Sequence, residues 1–249
     1  MLPRFEIVSQ DFTVANYLEL LDLAKKRFRF VQYADSQDSE NIAIWRHDID
    51  ISPHRALALA KLENEKGVDA TYFVQLTSRF YNAMEEDVIR VLRHLSKVAH
   101  IGLHFDPNCY KIETIEDFCE NLSFEINVLQ KLIAVPVDAF SLHNPTLVQG
   151  IALNDLAYCG LINASAPHFR EAFVYCSDSN GYWRYRTLQN VLMDEATSRV
   201  HALTHPCWWQ EEIMPPRKRV ARCVEGRAQA SLNYYDNLLA ANGRKNENS

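Results

Sequence analysis

Acid–base residues cluster in four short segments: Arg46-His-Asp-Ile-Asp50, His100-Ile-Gly-Leu-His104, Ser141-Leu-His-Asn144 and Leu203-Thr-His205. The first is the densest and ends an apolar run. If that run is an extended strand, Asp48 and Asp50 lie two residues apart and project from one face. Paired carboxylates are costly unless a cation sits between them. A divalent metal together with a catalytic proton transfer would account for the pair. So would Arg46 or His47 neutralising one aspartate while the other caps the following helix. His100 and His104 have the spacing that lets two imidazoles share an ion on a helix. Ile101-Gly-Leu103 between them reads as strand, however, and four residues of strand span about 13 Å, too far for one ion. His104 therefore belongs to the strand's C-terminal end, and His100 to the opposite end with a structural role.

Several elements must position these groups. Residues Phe12 to Phe28 carry Val14, Tyr17, Leu18, Leu21, Ala24 and Phe28 at helical spacing. After a polar loop, Asp35 to Glu40, an opening strand runs from Ile42 to His47. Ser52-Pro53 then supplies an N-cap and a first-turn proline for a helix over Ala56 to Lys66, ending at Gly67. Further strands are expected at Ala70–Leu76, His100–Phe105, Ala139–His143, Leu161–Asn163, Phe173–Cys176 and Val200–Thr204. Helices are expected at Glu85–Ser96, at Thr114–Leu132 with Ile115, Phe118, Leu122, Ile126 and Leu129 on one stripe, and at about Arg219–Ala241. Seven strands alternating early with helices imply a parallel sheet, either doubly wound or closed as a barrel. Asp48, Asp50, His104, His143 and His205 each end a strand, and a barrel gathers strand ends at one mouth. With no glycine-rich loop after the first strand, a dinucleotide-binding sheet is disfavoured. The expected fold class is α/β, a TIM-like barrel.

A chain of 249 residues suits one domain, here residues 1–241, with a polar tail over 242–249 expected to be disordered. The net charge of −6 argues against a nucleic-acid partner. Arg217-Lys-Arg219 reads as a solvated helix start. No apolar run is long enough to span a bilayer, and Met1 to Phe12 lacks the core of a signal peptide, so a cytoplasmic location without membrane contact is expected. Cys109, Cys119, Cys159, Cys176, Cys207 and Cys223 form no Cys-x-x-Cys pair and are expected to be reduced thiols. A homo-oligomer is left open.

Set side by side, His47-Asp-Ile-Asp50, His100-Ile-Gly-Leu-His104-Phe-Asp106, Ser141-Leu-His-Asn-Pro145 and Leu203-Thr-His-Pro206 before Trp208-Trp209 resemble, in order, the motifs of the polysaccharide deacetylases, the NodB-like carbohydrate esterases. The resemblance runs from about Ile42 to Trp209. It implies a distorted β/α barrel of about seven strands that removes N-acyl groups from amino sugars with a divalent metal, usually zinc. It makes Asp48 the general base and Asp50 a metal ligand, with Ile49 as an inserted residue that leaves the two roles exchangeable. His104 matches a metal-binding histidine. Asn108 stands where the family has a second one, so the third ligand falls to His143 or else Asp106, or the metal is held weakly. Asn144 replaces the arginine expected before the proline, and Arg46 could supply that charge. Asp178 and Trp183 loosely echo a later motif, or mark a plain turn on Asn180-Gly181. His205 takes the general acid's place, or is a hydrogen-bonded core histidine.

Arg46, Asn144, Asp178, Trp208 and Trp209 are the candidate substrate contacts, with the alternative that the two tryptophans only roof the barrel. Phe80-Tyr81-Asn82 should border the mouth. The substrate implied is a small soluble carbohydrate, N-acetylated or N-formylated, free or nucleotide-linked, used in surface-polysaccharide synthesis. Two other functions fit the same residues: a catalytically silent carbohydrate-binding barrel, and an amidohydrolase for a non-sugar amide.

Overall fold

A computed structural model describes residues 9–37, 40–144, 151–183 and 186–246. Met1–Val8, Pro145 and the last three residues of the tail lie outside the described residues. A first helix, α1 (Val14–Lys25), begins at the N-cap Thr13 and leads to a two-residue strand, β1 (Arg29–Phe30). Then come β2 (Ile42–Ile49), α2 (Pro53–Lys66), β3 (Ala70–Val74), α3 (Glu86–Leu95), β4 (His100–Phe105), α4 (Ile115–Ile133) and β5 (Ala139–Leu142). The second half adds β6 (Ala157–Tyr158), β7 (Leu161–Asn163), α5 (Pro167–Glu171), β8 (Val174–Ser177), α6 (Leu188–Met193), β9 (Arg199–Thr204) and α7 (Pro216–Ala241). All seven expected strands are present. The short pieces β1, β6, α5 and α6 are additional.

The sheet order is β6-β7-β5-β4-β3-β2-β9-β8, with β1 added to β2. From β7 to β8 along this path, seven strands run parallel, and β6 alone is antiparallel. The last strand, β9, lies beside the first long one, β2. That is the order of a barrel rather than of a doubly wound sheet, and among the described residues it is open between β7 and β8. The fold is a distorted β/α barrel.

Strand β2 is buried along its whole length because both of its faces are covered. Ala43, Trp45 and Ile49 join the outer core between sheet and helices, whereas Ile42 and Ile44 join an inner core with Tyr33, Phe73, Ala139, Ala164 and Phe169. By the same alternation Arg46, Asp48 and Asp50 follow the inner face towards the mouth. Gly102 of β4 is fixed by this inner packing: a Cβ there would lie 2.4 Å from the Phe73 ring. The space it leaves lets Phe73 sit 5.0 Å below the Arg46 guanidinium.

Three expectations are corrected by packing. Arg219 is not solvated; it is fully buried, with its guanidinium 4.7 Å from the Phe12 ring centre. Ile115 is exposed on α4, and Glu125 takes a place on the buried stripe instead. Cys119 of α4 and Cys159, at the β6–β7 turn, form a disulfide, so only Cys109, Cys176, Cys207 and Cys223 are free thiols. Spacing alone could not show that pairing, since the two cysteines are 40 residues apart and meet only when β6 packs under α4.

Glu125 gives the fold a pH dependence. Burial raises its pKa to about 7, against the hydrogen bond from Tyr110 Oη, and Oε2 has no partner. The unfolded chain ionises this group near the ordinary glutamate value, so stability falls as pH rises from about 4.5 to 7. Glu125→Gln is expected to gain on the order of 3 kcal/mol at pH 8 and little at pH 4. Thermal melts of both proteins at the two pH values check it, and equal gains at both would contradict the assignment.

Candidate active site

The ends of β2, β4, β5 and β9 meet at one mouth. On β2, Arg46 donates from Nε to Asp48 Oδ1 at 2.8 Å and from Nη2 to Oδ2 at 2.7 Å, both residues being buried. This fork-to-fork pair is the neutralisation that the spacing allowed. Burial pushes the Asp48 carboxyl up, but the charges of Arg46 and His104 outweigh it and hold the group below the usual carboxylate range. Asp50 is also held below the usual carboxylate range: burial again opposes, and the adjacent His104 imidazole with the charges of His205 and His143 prevails. Neither aspartate caps the next helix. Ser52 does, accepting from the Arg55 N–H at 3.3 Å.

His104 directs Nε2 into the mouth because its other nitrogen, Nδ1, is hydrogen-bonded to Ser141 Oγ at 2.7 Å. Ser141 is held opposite by register, since His104 and Ser141 are paired partners in the β4–β5 ladder. That serine was missed in the sequence, where it carries no role without the register. Nε2 of His104 lies 3.3 Å from Asp50 Oδ1, 3.1 Å from His143 Nδ1 and 3.6 Å from Asp48 Oδ2. One ligand atom from each of Asp50, His104 and His143 falls within 4.8 Å of the other two. Asn108 is turned away and exposed, donating to Asp106 Oδ1 at 3.0 Å, so Asp106 is committed to a local turn. Of the two candidates for a third ligand, the structure brings His143 to the cluster and leaves Asp106 outside it.

His205 closes the other side. Its Nδ1 is 2.6 Å from Asp178 Oδ1, its backbone N–H donates to Asp178 Oδ2 at 3.0 Å, and its Nε2 is 3.7 Å from Asp50 Oδ2. Burial alone would lower the His205 pKa, but the carboxylate of Asp178, with Asp50 and Asp48 behind it, raises it to about 9. Asp178 itself has no exposed surface. The expected turn is present, with positive φ at Asn180 and Gly181 just after Asp178.

Four of the five candidate substrate contacts are buried. Arg46 and Asp178 are buried holders of Asp48 and His205. Trp209, 1% exposed, packs on Tyr17, Phe12 and Trp183, and Trp208 is buried against Gly181, so both roof the barrel. Asn144 is exposed, with its carboxamide nitrogen 2.8 Å from His143 Nε2, where it fixes that ring. Tyr81 supports the mouth from behind: its hydroxyl donates to Ile49 O at 2.9 Å and accepts from the Gln75 N–H. His100 lies at the opposite end of β4, 3.3 Å from Asp69. His47 points outward, where Glu63 at 2.7 Å and Thr204 at 2.6 Å take its two nitrogens.

Each of the four sequence segments thus brings at least one acid–base residue to the same mouth: Asp48 and Asp50, His104, His143, and His205. The chain resembles the polysaccharide deacetylases. No family model matches it, and no curated protein does. Among solved structures it is similar to a polysaccharide deacetylase from Bacillus cereus, at 12% identity and a TM-score of 0.44, over 76% of this chain and 88% of that one. A deacetylase from Streptococcus pyogenes follows at 11% identity and a TM-score of 0.39, over 53% of this chain and 65% of that one, just under two thirds of its length. A CE4 family pseudoenzyme from Bacillus anthracis is similar at 11% identity and a TM-score of 0.43, over 74% and 60%. Among the described residues, no helix is long and apolar enough to cross a membrane.

Proposed function

We propose that this protein is a metal-dependent hydrolase that removes an N-acyl group, acetyl or formyl, from an amino sugar or a sugar nucleotide. The observation that carries the reading is Asp50 Oδ1, a buried carboxylate oxygen without a hydrogen-bond partner, facing His104 and His143 between Asp48 and His205. An orphaned anionic oxygen beside two imidazole nitrogens fits a divalent cation, and a set of two nitrogens and one oxygen suits zinc. When bound, such an ion supplies Lewis acidity to an amide carbonyl and acidifies a water. Asp48, kept ionised by Arg46, takes the proton of the attacking water. His205, kept protonated by Asp178, gives a proton to the departing amine. The reading of a silent binding barrel rested on Asn108 and Asn144; His143 offers the nitrogen that Asn108 lacks, and Arg46 the positive charge that Asn144 lacks.

The setting also belongs to this proposal. A disulfide between Cys119 and Cys159 favours an oxidising compartment over the cytoplasm expected from the amino-terminal residues. There, an N-acylated polymer is as accessible as a soluble sugar. Metal content of protein purified without chelators is expected to be about one divalent ion per chain. With zinc restored, the protein is expected to release acyl groups from N-acetylglucosamine oligomers or from nucleotide-linked N-acetylglucosamine, and the ratio of the two rates assigns the substrate class. A protein that retains no ion and turns over neither substrate would refute the reading.

A further inference from the structure

The last helix, α7, is 26 residues long, about 39 Å, yet Arg219 is its only buried residue. It is fastened to the body near its start. Arg219 packs on the Phe12 ring, Cys223 is half-buried, and Arg227 pairs with Glu85 in front of α3. Beyond that ion pair the helix stands clear. From Ala228 to Ala241, fourteen residues, every one is exposed except the half-buried Leu239. A helical segment of that length is marginal in water unless something packs on it.

Its sequence is not that of a solvated helix. Val224, Ala228, Leu232, Tyr235 and Leu239 recur at intervals of three or four and share one face, flanked by Tyr234 and Leu238. Glu225, Gln229, Asn233, Asp236 and Asn237 take the other side. Cys223 and Arg227, which face the body, each stand one position before a member of the apolar stripe, so the stripe is turned about 100° away from the body. Val224, Leu232, Tyr234, Tyr235 and Leu238 are accordingly between 45% and 66% exposed.

Area, charge and shape decide what covers this face. At that exposure the five side chains present about 500 Å² on each chain, so two such faces would bury about 1,000 Å², the lower limit for a specific interface. The one charged residue from Ala228 to Ala241 is Asp236, on the polar side, where it accepts from Asn246. An uncharged face meets its own image without repulsion, whereas an anionic membrane surface would call for basic residues there. With two helices antiparallel about an axis between Ser231 and Leu232, Ala228 falls opposite Tyr235 and Val224 opposite Leu239, small against large along the seam.

We propose that the outer face of α7 is a dimerisation surface, on which a second copy of this chain packs its own α7 antiparallel. The interface does not depend on the deacylase reading.

Sedimentation velocity of the full chain from about 1 to 200 µM is expected to show monomer passing to dimer, with a Kd in the micromolar range suited to a contact of this size. Leu232→Glu with Tyr235→Glu is expected to weaken association at least tenfold. Its melting temperature at the lowest concentration should match that of wild type, since both side chains are exposed in the single chain. Ser231→Cys, beside the axis, is expected to give a reducible dimer with glutathione disulfide, and faster than Asn233→Cys on the polar side. Wild-type protein that stays monomeric over the whole range overturns the proposal, as does a doubly substituted protein that dimerises like wild type. Equal cross-linking through positions 231 and 233 would overturn the antiparallel seam. Monomeric wild type that cosediments with vesicles of anionic lipid also overturns the proposal and gives the face to a membrane.

Discussion

Asp50→Asn is expected to lose the divalent ion, and Asp48→Asn to keep the ion and lose turnover. The two residues sit on the same face of one strand end, yet their surroundings differ. Both Asp48 oxygens are taken by the Arg46 fork, while one Asp50 oxygen is buried without an aligned hydrogen bond, 3.3 Å from His104 Nε2. A carboxamide at position 50 offers a neutral, weaker oxygen and removes the charge that offsets the cation, so affinity should fall by about 100-fold or more. At position 48 the change removes a proton acceptor, which for a general base is worth about 10² to 10⁴ in rate. Metal analysis and turnover of the two variants, measured together, separate the roles. If Asp48→Asn loses the ion and Asp50→Asn does not, the roles are exchanged; if both stay fully active, neither assignment stands.

The second large effect is on stability. Arg46→Met is expected to cost about 3–5 kcal/mol at pH 7, because it strands a buried carboxylate whose charge was matched. For a chain of this size that corresponds to a fall in Tm of roughly 10–15 °C. The pair holds the Asp48 pKa down, so its contribution is present above the ordinary aspartate pKa and is lost below it, as pH falls through the lowered value, whereas the unmatched Asp48 of the variant protonates at higher pH. The deficit of the variant should therefore be largest at neutral pH and shrink near pH 4, where Asp48 can protonate. Adding Asp48→Asn to Arg46→Met should restore much of the loss, a coupling that thermal melts of the four proteins would measure. Additive effects would mean that the pair is not a pair.

The architecture was legible because acid–base residues stand at or next to the C-terminal ends of β2, β4, β5 and β9, and apolar stripes mark the helices between strands. Period-two spacing was enough to put Arg46, Asp48 and Asp50 on one face, and strand length was enough to part His100 from His104. What stayed hidden depends on neighbours in space. Ser141 acquires its role only from the β4–β5 register. Asp178 finds His205 across the β8–β9 pair. Trp209 was ambiguous because an aromatic residue after a strand end can face solvent or core, and here Tyr17 and Phe12 from the amino-terminal segment cover it. Elements of two residues, such as β1 and β6, leave no periodicity to read.

The pairing of β9 with β2 has a consequence for how the molecule comes into being. Thr204 and His47, hydrogen-bonded across that seam, are 157 residues apart in sequence, so the seam closes only after nearly the whole chain is available. During synthesis, Asp48 and Asp50 emerge early on a strand whose edge from Ile42 to His47 has no partner until residues 199–204 arrive. Long-range parallel pairing of this kind is slow, and an unpaired apolar edge is a template for association with other chains. Asp48 and Asp50 thus meet His205 only in the closing step of folding, and a chain released early would lack the assembled mouth and be prone to aggregate.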